Sequence, residues 1–416
     1  MQILVFIFYF LLFSFIISRI PFFKKSGLGL WPLLILFAIK IAAGVAYAKF
    51  YTLPKYYEGS DTWRFYRLSL DETRWLRNNP VTFMKDLFIH GYGETGNLFS
   101  GENTYWNDLK SNVVVKIMAV MNILTGNSYY TNIILFNFLF LFGLVALFKL
   151  FRHLFASRKI VIISLVFLLP STLFWCSGIH KDGLILSATG IVIYCLYQLI
   201  EQSFQVKKLV LILLGSLFVF SLRNYVVFAL VPSLIAWLLS VKYPGKSIAI
   251  FAGVYITGIA IFFIVPIVIP SLNFPLFVTG KREEFLLLEG GSEVKNRPLT
   301  TTFSSFIAFL PIALDMAFLR PHLTEVKNVS YLPAAIEVIL LLISILVAIF
   351  NIKKTGKVRP VILFLLTFSL SIMLLTGYTI PFTGAILRYR SFVLPLLITP
   401  LLGMTNIAIF SKKTSF

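Results

Sequence analysis

Long apolar runs without a single charge are what most constrains this chain. Residues 247–270 contain no Asp, Glu, Lys or Arg. About 20 such residues span the ~30 Å hydrocarbon layer of a bilayer as a helix. Inside that layer no water can satisfy the backbone N–H and C=O groups, so the run must close its hydrogen bonds internally. The expected fold is therefore all-α: a polytopic transmembrane helical bundle. Composition agrees. Hydrophobic residues make up 58% and charged residues 13% of the 416, with 43 Phe, whereas a soluble domain carries about 25% charged residues.

Eleven spans are expected, centred on residues 2–18, 28–49, 129–150, 160–177, 183–200, 208–222, 225–241, 247–270, 331–351, 360–380 and 391–410. The whole of 1–416 reads as one transmembrane domain. The sixth and seventh spans are separated only by Arg223 and Asn224 and read as a tight hairpin. The N-terminal run lacks a basic flank and a small-residue cleavage site, so it is expected to be a retained helix.

The net charge of +20 does not point to nucleic acid, because the basic residues lie in short loops between apolar runs. Alternate loops carry Arg19, Lys24, Lys25, Lys149, Arg152, Arg158, Lys159, Lys207, Lys208, Lys242, Lys246, Lys353, Lys354, Lys357 and Arg359, with Lys412 and Lys413 in the tail. The opposite short loops hold only Lys181, Arg223, Arg388 and Arg390. The positive-inside rule makes the first side cytoplasmic. The N-terminus is then outside and the C-terminus inside.

Two long loops, 51–128 and 271–330, fall outside. The first contains amphipathic stretches, Asp71 to Phe88 and Leu109 to Leu124, suited to an interface. The second has a charged segment, Lys281 to Arg297, and then an apolar run, Phe303 to Leu319, broken by Pro311 and Asp315. That run reads as a re-entrant or interfacial helix. Lys40, inside the second span, reads as an internal partner for Asp315 or Glu337.

The outer side concentrates the chemistry. Glu58, Asp61, Arg64, Tyr66 and Arg67 follow the second span. A carboxylate among aromatics at a bundle mouth suits a general base acting on a hydroxyl; the plainer alternative is an interfacial aromatic belt. His180, Lys181 and Asp182 interrupt two apolar helices, where charge is costly. Asp182 as a helix cap with a snorkelling Lys181 is the plainer account; a phosphate-facing Lys181 is the functional one. Arg223, Arg320 and the pair Arg388 and Arg390 complete the set. Their planar forks suit phosphate, and they stand where the charge bias should deplete arginine.

Other signals carry less. Gly91 to Gly96 matches G-x-G-x-x-G without the strand–turn–helix context a nucleotide site needs. Asn328-Val329-Ser330 matches a glycosylation sequon. Cys176 and Cys195 read as packing residues. His90, His153, His180 and His322 lack metal-ligand spacing, so no metal site and no cofactor is expected; a divalent metal has no supporting motif.

Gly59-Ser60-Asp61 with Tyr66, the stretch Pro170 to Asp182, Arg320-Pro321, and Arg388-Tyr389-Arg390 before a proline-containing last span resemble bacterial inner-membrane glycosyltransferases of the GT-C type, associated with surface polysaccharides. The resemblance is spread along the chain and thin in motifs. It implies a polyprenyl-phosphate-linked sugar as donor and a glycan or lipid-linked acceptor. It also implies catalysis by an acidic residue of the first outer loop, which here is Asp61. Glu58, Tyr66, His180, Lys181, Asp182, Arg223, Arg320, Arg388 and Arg390 would bind phosphate or sugar. The family often pairs its acid as Asp-Asp, Asp-Glu or Asp-x-Asp; here Glu58 stands three residues earlier. An O-antigen-type polymerase and a non-enzymatic flippase for lipid-linked glycans are the rival readings.

Overall fold

The structure, a computed structural model, describes residues 2–88, 105–288, 292–326, 331–351 and 358–405. The Gly91–Gly96 motif, His90, the sequon at Asn328, Lys353, Lys354, Lys357, Lys412 and Lys413 lie outside them.

Among the described residues the chain is predominantly helical, with 292–302 outside any helix. It opens with α1 (Gln2–Arg19), α2 (Pro21–Lys24) and α3 (Leu30–Phe50). The first long loop holds α4 (Pro54–Tyr57), α5 (Asp61–Asn78), α6 (Pro80–Lys85) and α7 (Tyr105–Thr125). Then come α8 (Tyr129–Leu154), α9 (Lys159–Phe167), α10 (Pro170–Trp175), α11 (Lys181–Glu201), α12 (Val206–Leu222), α13 (Asn224–Lys242) and α14 (Ser247–Val268). The second long loop contributes α15 (Phe274–Leu286) and α16 (Phe303–Leu314), continued by a π-turn over Asp315–Leu319. The chain then forms α17 (Leu332–Asn351), α18 (Pro360–Thr379), α19 (Thr383–Arg390) and α20 (Leu394–Gly403).

Eight of these helices are long and apolar enough to cross a membrane, and α19 with α20, bent by 61°, makes a ninth candidate. Two expected spans come as shorter pieces. Residues 160–177 divide into α9 and α10, because Pro170 has no N–H to continue a helix and instead opens the next one. The sixth is α12, with 17 residues.

Helix α8 is the axis of the bundle: 78% of its apolar window is buried, against 6% for α14. It lies closest to α11. A Cβ on Gly143 would stand 2.1 Å from Ser187 Cα. Ser187 Oγ donates to the Leu139 carbonyl at 2.9 Å and accepts from Gly143 N at 3.2 Å. Small residues that let backbones meet, with a hydroxyl bonding across, are how helices associate where lipid removes the hydrophobic driving force.

The amphipathic segments of the first long loop do not lie apart on a surface. Helices α5 and α7 pair, with Asn122 Nδ2 donating to Ser69 Oγ at 2.9 Å and Thr73 Oγ1 at 3.1 Å. Buried Lys116 bridges Glu72 (2.9 Å) and Asp86 (3.0 Å). The apolar run of the second loop also packs inward: Gly377 of α18 meets the Ala313 backbone so closely that a Cβ there would be 2.0 Å from its oxygen.

The expected pairing of Lys40 is corrected. Its Nζ donates to the Cys176 carbonyl at 2.9 Å and to Ser177 Oγ at 2.8 Å. Asp315 is engaged by Arg320 and His322, and Glu337 accepts from Ser171 N at 2.7 Å. Both cysteines are free and buried.

Candidate functional site

Asp61 is the first residue of α5. Ser60 caps that helix through its hydroxyl, which accepts from Trp63 N. Trp63 then stacks on Tyr129 with centroids 4.2 Å apart, and Thr62 Oγ1 lies 2.5 Å from the Tyr129 hydroxyl. These contacts with the start of α8 fix α5 in rotation, leaving the part-buried Asp61 facing the bundle.

The segment between α10 and α11 is held just as firmly. Lys40 grips it as described above, and Asn137 Nδ2 donates to the Ser177 carbonyl at 2.8 Å. A Cβ on Gly44 would be 2.5 Å from that carbonyl, and one on Gly178 would be 2.2 Å from Tyr47. His180, not Asp182, is the N-cap of α11, its Nδ1 accepting from Asp182 N at 3.4 Å. Asp182 sits in the first turn with its side chain fully buried.

Around this tip four other charged side chains and one imidazole converge. Asp182 Oδ2 is 2.7 Å from His180 Nδ1 and accepts from Arg388 Nε at 3.1 Å. Asp182 Oδ1 is 2.5 Å from Arg223 Nη2. Asp61 Oδ2 accepts from Arg388 Nη2 at 2.9 Å and is 3.1 Å from His180 Nε2. Arg388 thus ties both carboxylates together and also touches His180 Nε2. The Arg223 guanidinium lies over the Tyr389 ring at 4.0 Å. Lys181 Nζ turns to α7, donating to Ser111 Oγ at 3.2 Å.

Burial pushes the Asp61 carboxyl up, but the hydrogen bond with His180 and the charge of Arg388 outweigh it. They hold the group well below the usual carboxylate range. Among the described residues no group of three or more His, Cys, Asp or Glu side chains is placed to hold a metal ion. Between Asp61 and Asp182 the space a cation would use is taken by the Arg388 guanidinium.

Beside this cluster opens a cavity of about 2400 Å³. Its polar end is lined by Asp61, Lys110, Lys181, Arg223, Lys281 and Arg388. Its body is apolar and runs along α13, past Phe228, Val231, Ile235 and Leu239, against α14 and α18. From Arg223 to Leu239 that wall is about 24 Å long at ~1.5 Å per helical residue.

Asp61, His180, Lys181, Asp182, Arg223 and Arg388 are therefore brought together; the other expected site residues are not. Glu58 is exposed in the turn before α5. The Tyr66 hydroxyl donates to the Asn127 carbonyl at 2.6 Å. Arg320 joins Asp315 (2.8 Å) and Glu325 in a separate cluster with His322. Arg390 is buried at 1% exposure and donates to the Arg320 carbonyl at 2.6 Å. Two residues not singled out by sequence, Lys110 and Lys281, line the polar end. Each lies in a charged stretch whose depth in the fold the sequence does not encode.

Fold and site define a polytopic α-helical membrane protein with a cation-rich pocket at one end of its bundle. No protein-family model, no curated protein and no solved structure matches the chain.

Proposed function

We propose that the protein is a membrane glycosyltransferase that moves a sugar from a polyprenyl-linked donor to an acceptor hydroxyl. The observation that carries this reading is the amphipathic cavity: a carboxylate and several cations at one end, and an apolar wall most of a bilayer leaflet pair in length behind them. A ligand with an anionic head and a long hydrocarbon tail matches both halves. Apolar burial holds the tail, and charged hydrogen bonds hold the phosphate.

In the proposed step the acceptor oxygen attacks the anomeric carbon. The bond from that carbon to the lipid phosphate oxygen breaks, and its electron pair leaves with the phosphate. The acceptor's proton passes to Asp61. Arg388 and Arg223 stabilise the charge gathering on the leaving group. As Arg388 turns toward that phosphate its hold on Asp61 weakens, and the carboxylate becomes a better base when one is needed.

Topology fits a site at the outer face of a bacterial inner membrane, with eleven crossings, the N-terminus outside and the C-terminus inside. Lys149 lies over Phe22, and Arg158 reaches Leu402 and Thr405 at the end of α20. Glu201 pairs with Arg359 at 3.2 Å. These contacts gather loops from the basic set at one end. Asp61, Asp182, Arg223 and Arg388 meet at the other. Counting α9 with α10 as one broken crossing, and α12 as a short one, keeps that alternation.

A flippase would be expected to line its path with charges at mid-membrane. Lys40, midway along α3, is instead fixed on the Cys176 carbonyl and Ser177. The test is Asp61→Asn in a vesicle assay with a lipid-linked donor. Loss of a general base lowers rate by about 10²–10⁴-fold, with folding unchanged by gel filtration. Full transfer by the variant would sink the assignment.

A further inference from the structure

The charges lining the cavity do not cancel. Arg223 and Arg388 are matched by Asp182 and Asp61 in direct contact. Lys281 is matched by Glu284. Lys110 and Lys181 also line the cavity and form no ion pair among the described residues. They come from different elements, α7 and the tip of α11, and are joined through Ser111, the neighbour of Lys110, whose hydroxyl accepts from Lys181 Nζ at 3.2 Å. Among the described residues, the carboxylates whose charge reaches them, Asp61 for Lys181 and Glu284 for Lys110, are already in contact with Arg388 and Lys281.

We infer that the cavity takes a lipid diphosphate, a diester with two adjacent anionic phosphates, and that Lys110 and Lys181 are the cations that recognise it. This rests on the transfer reading above and specifies its donor. A sugar on a single lipid phosphate is a diester with one negative charge. It would leave one of the two lysines uncompensated in a pocket walled by apolar side chains, where an unpaired charge is costly. A diphosphate diester carries two charges and leaves neither. Burial already brings the Lys110 ammonium down from 10.5 to about 8, with the Lys281 charge adding to the effect and Glu284 opposing it. A bound anion reverses that strain. The apolar wall along α13 begins beside these charges, so the same ligand fills both regions.

The test uses full-length protein in nanodiscs of zwitterionic lipid and three probes: farnesyl methyl phosphate, P1-farnesyl P2-methyl diphosphate and inorganic diphosphate. The farnesyl diphosphate diester is expected to bind at least tenfold tighter than the monophosphate diester. Lys110→Met and Lys181→Met each bring that ratio toward one, while Lys110→Arg, which keeps the charge, preserves it and reports on folding. Equal affinities for the two diesters, or a ratio unchanged in both Met variants, overturn the assignment and leave the transfer reading standing. Tighter binding of inorganic diphosphate than of the farnesyl diester overturns the lipid form of the ligand. Tight binding of P1-farnesyl P2-methyl diphosphate by a protein that transfers no sugar supports the assignment and overturns the transfer reading instead.

Discussion

Removing Asp182 should do more harm than removing Asp182 and Arg223 together. The carboxylate is fully buried and faces Arg223 at 2.5 Å, His180 at 2.7 Å and Arg388 at 3.1 Å. In Asp182→Leu, Arg388 keeps Asp61 at 2.9 Å, so one guanidinium, that of Arg223, loses its ion partner. Breaking a buried pair from one side costs about 3–5 kcal/mol. The Tyr389 ring beneath Arg223, 4.0 Å away, offsets part of this, since a desolvated cation–π contact contributes about 2 kcal/mol. A loss near the lower bound, about 3 kcal/mol, is expected. In Asp182→Leu with Arg223→Leu no charge is stranded. What remains is the loss of the Asp182 contacts with His180 Nδ1 and Arg388 Nε, about 1–2 kcal/mol together. At roughly 1–2 °C per kcal/mol for a chain of 416 residues, the single variant should melt about 3–6 °C below wild type and the double variant about half as far below. Heating in one detergent, followed by fluorescence-detected size exclusion, reads both. A double variant as unstable as the single one would refute the charge-stranding argument.

Anion binding should depend on pH through Lys110. Its lowered value means the ammonium is charged below about 8 and neutral above it, and a bound anion favours the charged form. Affinity for P1-farnesyl P2-methyl diphosphate should therefore fall as pH rises, by about fivefold between pH 8 and 9 if the bound form titrates two units or more higher. Lys110→Arg should flatten the profile, and a flat wild-type profile would count against the role of Lys110. Gly143→Ala should destabilise the bundle by about 1–3 kcal/mol, because its Cβ falls 2.1 Å from Ser187 Cα. Gly258→Ala, with nothing within 4 Å of the new Cβ, should change stability by no more than about 0.5 kcal/mol; equal melting shifts would refute this packing account.

Which residues were legible in the sequence follows from geometry. The apolar runs and the membrane class could be read directly, because hydrocarbon leaves the backbone one solution at each run. Arg388, Arg223 and Lys181 could be found because they stand against a charge bias, and Asp182 because it interrupts two apolar helices. Their neighbours could not be sorted by proximity in sequence. Arg390 is two residues from Arg388, which on a helix places it about 200° away, so it points into the bundle toward the Arg320 carbonyl. Tyr66 is on α5 with Asp61 but five positions on, and faces Asn127. Glu58 precedes the Ser60 cap and so never joins the helix that aims Asp61. Lys110 was hidden for the opposite reason. It sits in an amphipathic stretch that reads as interfacial, and only the pairing of α5 with α7 carries it to the pocket. The short spans could not be bounded from apolarity alone, because local chemistry divides them, at Pro170 above all.

The contacts of Arg388 also set an order of manufacture. Asp182 and Arg223 are one helical hairpin apart, so they neutralise each other once α13 is made. Arg388 is synthesised 206 residues after Asp182 and 327 after Asp61. Until α19 arrives, the growing chain carries a matched pair into lipid, and Asp61 waits without its cation. The pocket is thus assembled late from parts that are each tolerable alone. A nascent chain cannot present the assembled charge cluster to the lipids around the insertion machinery before the bundle that encloses it is nearly complete.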